Sequence, residues 1–99
     1  MPRFDVHRMQ EGEGYLIDCQ ADLLHGLNTR LVVPLLRPGE GPPPISRLNP
    51  AFRIRDTDVV MYTQFAASVP VRELGEPVAS LMDEDHAIMN AFDMLLTGY

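Results

Sequence analysis

The sequence lacks the positive charge on which nucleic-acid binding depends. It contains no lysine, since all eight basic residues are arginines, and its fourteen acidic residues bring the formal net charge to −6. Contacts with phosphates draw on clustered positive charge. The charge balance therefore argues against DNA or RNA as a direct ligand and favours a protein partner.

Cysteine and long apolar runs are scarce as well. Cys19 is the only cysteine, which excludes an intramolecular disulfide framework and a cysteine-rich zinc site. No apolar run approaches the roughly 20 residues of a membrane span, and the N-terminus does not resemble a targeting segment. We therefore expect a cytoplasmic protein with no membrane association.

The size of the chain limits its organisation. Ninety-nine residues, 45% of them apolar, match one domain of ordinary size. We expect residues 1–99 to form a single domain with a stability of about 5–10 kcal/mol. At that stability an oligomer interface contributes appreciably.

Alternating apolar and polar residues predict β-strands in the first 71 residues. The segments that show this pattern or a short apolar run are 4–9, 15–21, 30–36, 52–54, 59–63 and 67–71. Turn residues at 10–14 and at 55–58 predict two hairpins. Pro34 lacks an N–H and implies a bulge or an edge position in the third strand. Residues 38–44, with four prolines and two glycines, predict an extended surface loop.

After Pro77 the apolar spacing changes to three and four residues, which predicts a helix over 83–97. Its apolar stripe consists of Ile88, Ala91, Phe92 and Leu95. The acidic residues 83–85 are candidates for the N-cap and complement the helix dipole, and Gly98 stands where a C-cap is expected. Strands followed by one helix predict a mainly β, α+β fold, in which a small antiparallel barrel or curled sheet packs against the helix.

No residue pattern predicts a metal site, a cofactor or covalent catalysis. His7, His25 and His86 fall on a strand, a loop and a helix without the spacing of metal ligands, and each is expected at the surface. Cys19 lies on the apolar face of its strand, which predicts an inert buried thiol. Phosphate-loop, dinucleotide and hydrolase signatures are absent from the sequence.

Several segments occur in the order seen in one known family. They are RLVVPL (30–35), ASVPV (67–71), GEPVASL (75–81), NAFDMLLTGY (90–99) and the DCQAD segment (18–22) ahead of Leu23 and Leu24. Over nearly its whole length the chain resembles the CcdB toxins of type II toxin–antitoxin systems.

This resemblance implies a fold, a target and partners. The implied fold is a homodimer of SH3-like barrels, each with a C-terminal helix. The implied function is that of a non-enzymatic poison that binds the A subunit of bacterial DNA gyrase, traps it on cleaved DNA and is neutralised by a CcdA-type antitoxin. By the same resemblance, the gyrase-binding residues are Leu23, Leu24, Asp93, Leu96, Thr97, Gly98 and Tyr99.

The chain departs from the family pattern at its C-terminus. The pattern ends in Trp-Gly-Ile, with the tryptophan stacked on a gyrase arginine, whereas residues 97–99 are Thr-Gly-Tyr. Asp93 stands where the pattern has asparagine, and Leu96 stands where it has phenylalanine. The ring of Tyr99 offers an alternative partner for the arginine.

Two alternatives stay open at this point. The first is a protein of this fold that binds an antitoxin but acts on another target or on none. The second is an endoribonuclease like the MazF toxins, which share the barrel. A nuclease of that kind needs a base and a cationic group, for which His7 or His25 with Arg30 or Arg53 are the candidates.

Overall fold

The computed structural model describes residues 2–10, 12 and 14–98. These residues form seven β-strands and one α-helix. The strands are β1 (Asp5–Arg8), β2 (Tyr15–Asp18), β3 (Thr29–Leu36), β4 (Ala51–Ile54), β5 (Thr57–Met61), β6 (Ala67–Pro70) and β7 (Pro77–Ser80), and the helix is α1 (Asp85–Thr97). Short 3₁₀ turns occupy Asp22–Leu24, Thr63–Phe65, Val71–Glu73 and Met82–Glu84.

The strands form one curled antiparallel sheet. Its order is β4-β5-β3-β2-β1-β7, and β6 pairs with β3 beside this path. The predicted fold class, a mainly β curled sheet with one C-terminal helix, is confirmed. Within the described residues, no helix is long and apolar enough to cross a membrane.

Both predicted hairpins are present. β1 pairs with β2, and Gly12 and Gly14 in their connection have φ angles of 80° and 125°, which glycine adopts at little cost. β4 pairs with β5 through a turn that is shorter than predicted and contains Arg55 at φ 57°. The proline-rich segment at 38–44 forms a largely exposed loop without strands or helix, as expected.

Pro34 lies where β3 changes its partner strand. On one edge, Thr29–Val32 of β3 pair with β6, whereas Leu35 and Leu36 pair with β5. The carbonyl of Pro34 accepts a hydrogen bond from Tyr62 N at 3.1 Å, so the backbone of Pro34 faces this interruption. The missing N–H therefore falls in the gap between two partners, instead of at the expected bulge or edge position.

The core lies between the concave face of the sheet and α1. Val6, Ile17 and Val33 occupy neighbouring positions on β1, β2 and β3 and are fully buried. Ile88 and Phe92 of α1 belong to the same apolar cluster. The spacing of the helix residues in the sequence thus identified the face that packs on the sheet.

The C-terminal third differs from the sequence prediction in three details. β7 was not predicted, because it has only four residues and begins with a proline, which weakens the strand pattern of so short a segment. α1 begins at Asp85, after a 3₁₀ turn, and no acidic side chain makes the expected N-cap hydrogen bond. Leu95 is 39% exposed, because the buried stripe ends at Phe92 and the last turn of α1 extends past the core.

The prediction that His7 lies at the surface is wrong. Its ring is fully buried, and Nδ1 lies 2.9 Å from the carbonyl oxygen of Gly75. The segment that precedes β7 covers this face of β1, and β7 was missing from the predicted fold. Asp18 and Arg30 are also buried, and Arg30 Nη2 contacts Asp18 Oδ2 at 2.8 Å.

Candidate functional site

The end of α1 presents an apolar side chain on a rigid support. Leu96 is 76% exposed, although Ala91 and Phe92, one turn earlier, are buried in the core. Gly98 ends the helix in the left-handed conformation, with φ 82°, and its N–H donates to the carbonyl of Met94 at 2.9 Å. This is the C-cap that the sequence predicted, and it defines where the helix stops.

The polar residues of the same end are exposed on the helix surface. The hydroxyl of Thr97 donates to the carbonyl of Asp93 at 2.6 Å, which holds the Thr97 side chain against its own helix. Asp93 itself is exposed. Four predicted site residues, Asp93, Leu96, Thr97 and Gly98, therefore lie together at the C-terminal end of α1, whereas Tyr99 lies outside the described residues.

The other two predicted site residues form a separate apolar patch on the 3₁₀ turn between β2 and β3. Leu23 is 89% exposed and Leu24 is 46% exposed. Leu27, 51% exposed in the same connection, extends this patch and was not predicted as a site residue. A cluster of leucines in an exposed turn was the available sequence signal for it.

Arg3 connects this turn to α1. Its backbone N–H donates to Asp22 Oδ1 at 2.8 Å, and its Nη2 donates to Met89 Sδ at 3.1 Å. The guanidinium also lies 4.6 Å from the centre of the Phe4 ring. Sequence reasoning did not identify Arg3, because nothing in the local pattern shows that the N-terminus passes between the turn and the helix.

The predicted thiol at Cys19 is buried and unreactive. Burial and, to a lesser extent, the Asp18 carboxylate raise the pKa of Cys19 to about 12, against a smaller opposing effect of Arg3. Its Sγ lies 3.8 Å from the carbonyl of Ile17. A thiol with this pKa is almost entirely protonated at neutral pH and is a poor nucleophile.

Two of the four residues considered for a nuclease are inaccessible. His7 and Arg30 are 0% and 1% exposed, and Arg30 is held by Asp18. His25 is exposed, and its Nδ1 lies 3.0 Å from the carbonyl of Asp22. Arg53 is exposed and paired with Asp58. Across residues 2–10, 12 and 14–98, no group of His, Cys, Asp and Glu side chains has the arrangement of a metal site.

Solved structures with a similar fold include toxins from one bacterium. The Mycobacterium tuberculosis toxin MazF-mt6 superimposes with a TM-score of 0.73 at 15% identity, over 90% of this chain and 92% of that one. A second Mtb toxin superimposes with a TM-score of 0.66 at 16% identity, over 88% of this chain and 99% of that one. At such low identity the similarity establishes the fold alone.

The sequence itself gives the family. The sequence model of the CcdB protein family matches residues 3–98, which include the core strands, the 3₁₀ turn that carries Leu23 and Leu24, and the whole of α1. The protein therefore belongs to the CcdB family of toxins from toxin–antitoxin systems.

Proposed function

We propose that this protein poisons DNA gyrase by binding its A subunit through the C-terminal end of α1, and that a CcdA-type antitoxin neutralises it. The main support is the position of Leu96, which is 76% exposed at the end of a helix whose preceding turn is buried in the core. An apolar side chain held in this way loses little conformational entropy when a partner covers it.

The action requires surface shape and does not require bond chemistry in the toxin. A wedge that inserts between the subunits of an opened enzyme needs an end that does not bend. Ile88, Ala91 and Phe92 fix α1 to the sheet, and Arg47 adds a contact from its Nη2 to the carbonyl of Asn90 at 3.3 Å. Burying the Leu96 side chain against a partner contributes about 1.5–3 kcal/mol.

The remaining proposed contacts are Leu23 and Leu24 on the turn, and Asp93, Thr97, Gly98 and Tyr99 at the helix end. Asp93 brings a carboxylate that suits a cationic target surface. Tyr99 is proposed to supply the aromatic ring that the family places two residues earlier, where an Arg–aromatic stack is worth about 0.5–2 kcal/mol. The protein is proposed to act as a homodimer, to use no cofactor and to function in the cytoplasm.

The test is a supercoiling and DNA-cleavage assay with purified gyrase. The native protein is expected to inhibit supercoiling and to accumulate cleaved complexes, and purified antitoxin is expected to reverse both effects. Leu96→Asp is expected to weaken inhibition at least about tenfold, because a charge replaces a contact at the interface. Ile45→Asp is the matched control, since Ile45 is a 50% exposed apolar residue directly after the proline-rich loop.

A gain-of-function variant makes the test decisive. Thr97→Trp with Tyr99→Ile restores the family ending Trp-Gly-Ile. If the native protein does not inhibit supercoiling at concentrations where this double variant does, the native C-terminal residues do not bind gyrase in the proposed way. Measuring RNA integrity in the same cells tests the endoribonuclease alternative, which predicts RNA cleavage with unchanged supercoiling.

A further inference from the structure

The curled sheet is open along one side, and the opening forms a groove. β4 and β7 are the two ends of the strand path, and each has one unpaired edge within the described part of the chain. Between them lies a groove with a volume of about 720 Å³. Its apolar lining includes Phe52 and Leu81, which are 7% and 6% exposed.

The backbone of β4 has free hydrogen-bonding groups in this groove. Met61 N donates to the carbonyl of Pro50 at 2.9 Å, so Pro50 faces β5. Along a strand, the N–H and C=O of one residue point to the same side, and successive residues point to opposite sides. The backbone groups of Phe52 and Ile54 therefore also face β5, whereas those of Ala51 and Arg53 face away from it. Both outward-facing residues line the groove. They present two N–H groups and two carbonyls to an incoming strand.

The opposite side of the groove is partly occupied. Leu81 N donates to the carbonyl of Phe4 at 2.9 Å. By the same alternation, the backbone N–H and C=O of Ala79 face β1, and those of Ser80 face the groove. The carbonyl of Val78 accepts a hydrogen bond from Arg55 Nη2 at 3.1 Å, across the opening. The free edge of β4 is therefore the better template for an added strand.

Strand direction allows only one antiparallel partner in the opening. Five antiparallel steps separate β4 from β7, so these two strands run in opposite directions. A single strand between them is antiparallel to one and parallel to the other. Since antiparallel pairing is slightly stronger per residue, the added strand is expected to run antiparallel to β4.

The charges around the groove select the occupant. Three acidic residues, Asp58, Asp83 and Glu84, line it together with one basic residue, Arg53. Arg53 Nη1 already pairs with Asp58 Oδ1 at 3.1 Å, which leaves Asp83 and Glu84 to give the groove a negative charge. A second copy of this chain, with a net charge of −6, is disfavoured there.

We propose that the β4 edge binds an extended basic segment of a protein partner as an additional strand. Main-chain hydrogen bonds to Ala51 and Arg53 supply affinity, and Asp83 and Glu84 select Arg or Lys side chains. This groove is separate from the proposed gyrase surface. The acidic residues precede α1, whereas Leu96 lies near its other end, about 18 Å away along the 13-residue helix.

The first experiment measures binding of synthetic peptides to the whole protein by calorimetry. A peptide of about six alternating arginine and valine residues spans β4 and is compared with its glutamate–valine counterpart. The basic peptide is expected to bind, and its addition is expected to shift and protect the backbone amides of Ala51 and Arg53 in NMR spectra. Equal binding of the acidic peptide, or amide changes confined to other strands, would overturn the proposal.

The second experiment separates charge from strand pairing. Asp83→Asn with Glu84→Gln is expected to weaken the basic peptide about 3–20-fold. The control Glu73→Gln with Glu76→Gln removes the same charge from exposed residues outside the groove lining and is expected to leave binding within about twofold. Equal weakening by both pairs would mean that only net charge matters.

Two N-methylated forms of the basic peptide complete the test. Only alternate N–H groups of an added strand face β4. Methylation of one alternate set is expected to weaken binding at least about tenfold, and methylation of the other set is expected to preserve it. If both forms bind like the parent, the peptide does not add a strand. None of these outcomes depends on whether gyrase is the target.

Discussion

At the residue scale, the main surprise is a group of polar side chains buried on the face of β1–β3 opposite α1. Asp18 and Arg30 are fully enclosed and paired, and Asp18 Oδ1 also accepts a hydrogen bond from Gln20 N at 3.1 Å. His7 is also fully buried, with its Nδ1 2.9 Å from the carbonyl oxygen of Gly75. Strand alternation alone places such residues at the surface of a sheet, because it does not show which segment covers the second face.

Breaking the Asp18–Arg30 pair should destabilise the protein strongly. In Asp18→Asn a neutral amide replaces the carboxylate that contacts the buried guanidinium of Arg30 at 2.8 Å, and the expected loss is about 3–5 kcal/mol. Asp58→Asn removes the partner of Arg53 in an ion pair whose side chains are 61% and 67% exposed, and the expected loss is below about 1 kcal/mol. Urea denaturation of the two variants measures the difference. Similar losses would mean that the buried pair has no special role.

Cys19 should make stability depend on pH in the alkaline range. Its pKa is about 12 in the folded protein against an ordinary value of 9.0. The unfolded chain therefore loses the thiol proton first, and the contribution to stability, complete below about pH 9, falls as the pH rises towards 12. Cys19→Ala is expected to cost about 1 kcal/mol at pH 7 without affecting target binding.

The comparison of native and Cys19→Ala proteins isolates this effect. Between pH 9 and 10.5 the free energy of unfolding of the native protein should fall by about 2 kcal/mol relative to that of Cys19→Ala. The variant then becomes the more stable of the two. Denaturation curves at several pH values provide the measurement. A constant difference across this range, or loss of activity in folded Cys19→Ala, would contradict the assignment of an inert buried thiol.

At the element scale, periodicity identified the elements with long or repeated patterns. α1 was predicted to within two residues at its start, and its C-cap at Gly98 was correct, because both depend on local sequence. β7 was missed also because its pairing with β1 joins residues 70 to 75 positions apart. The two walls of the β4–β7 groove come from distant segments, so the groove was not visible in the sequence.

Removal of Gly98 and Tyr99 should separate folding from function. The buried part of the helix ends at Phe92, and the cap contributes about 1 kcal/mol. Circular dichroism and thermal denaturation should therefore show a folded protein with slightly lower stability. Inhibition of gyrase should be lost, whereas an antitoxin that contacts the sheet and loops should still bind. Full inhibition by the truncated protein would place the gyrase contact elsewhere.

At the scale of the whole molecule, family and architecture were predictable but the target was not. The collinear segments at 30–35, 67–71, 75–81 and 90–99 identified the CcdB family, and the family model confirms this over residues 3–98. The fold is also similar to that of MazF-mt6, a toxin of another name, at 15% identity. Proteins with this fold can therefore carry different exposed residues, and those residues determine which target is bound.

Exposed apolar side chains on and beside α1 predict self-association. Apart from Leu96, which is assigned to the gyrase contact, Met89 and Leu95 are 38% and 39% exposed, and Phe65, on the 3₁₀ turn packed against α1, is 47% exposed. Exposed apolar side chains that cluster in one region of a small protein mark an interface, and closed twofold dimers are the commonest solution. The protein is expected to sediment at micromolar concentration with twice the 11.1 kDa mass of one chain.

Leu95 provides the sharpest test of this dimer, because it lies on the exposed last turn of α1, outside the buried stripe. Leu95→Arg should shift the mass to that of one chain and leave the circular dichroism spectrum unchanged, since burying an unpaired guanidinium at the contact is costly. Leu27→Arg introduces the same charge at a 51% exposed leucine on the connection between β2 and β3 and should leave the dimer intact. A native protein that sediments as a monomer at every concentration would contradict the dimer and the proposal that two copies act together on gyrase.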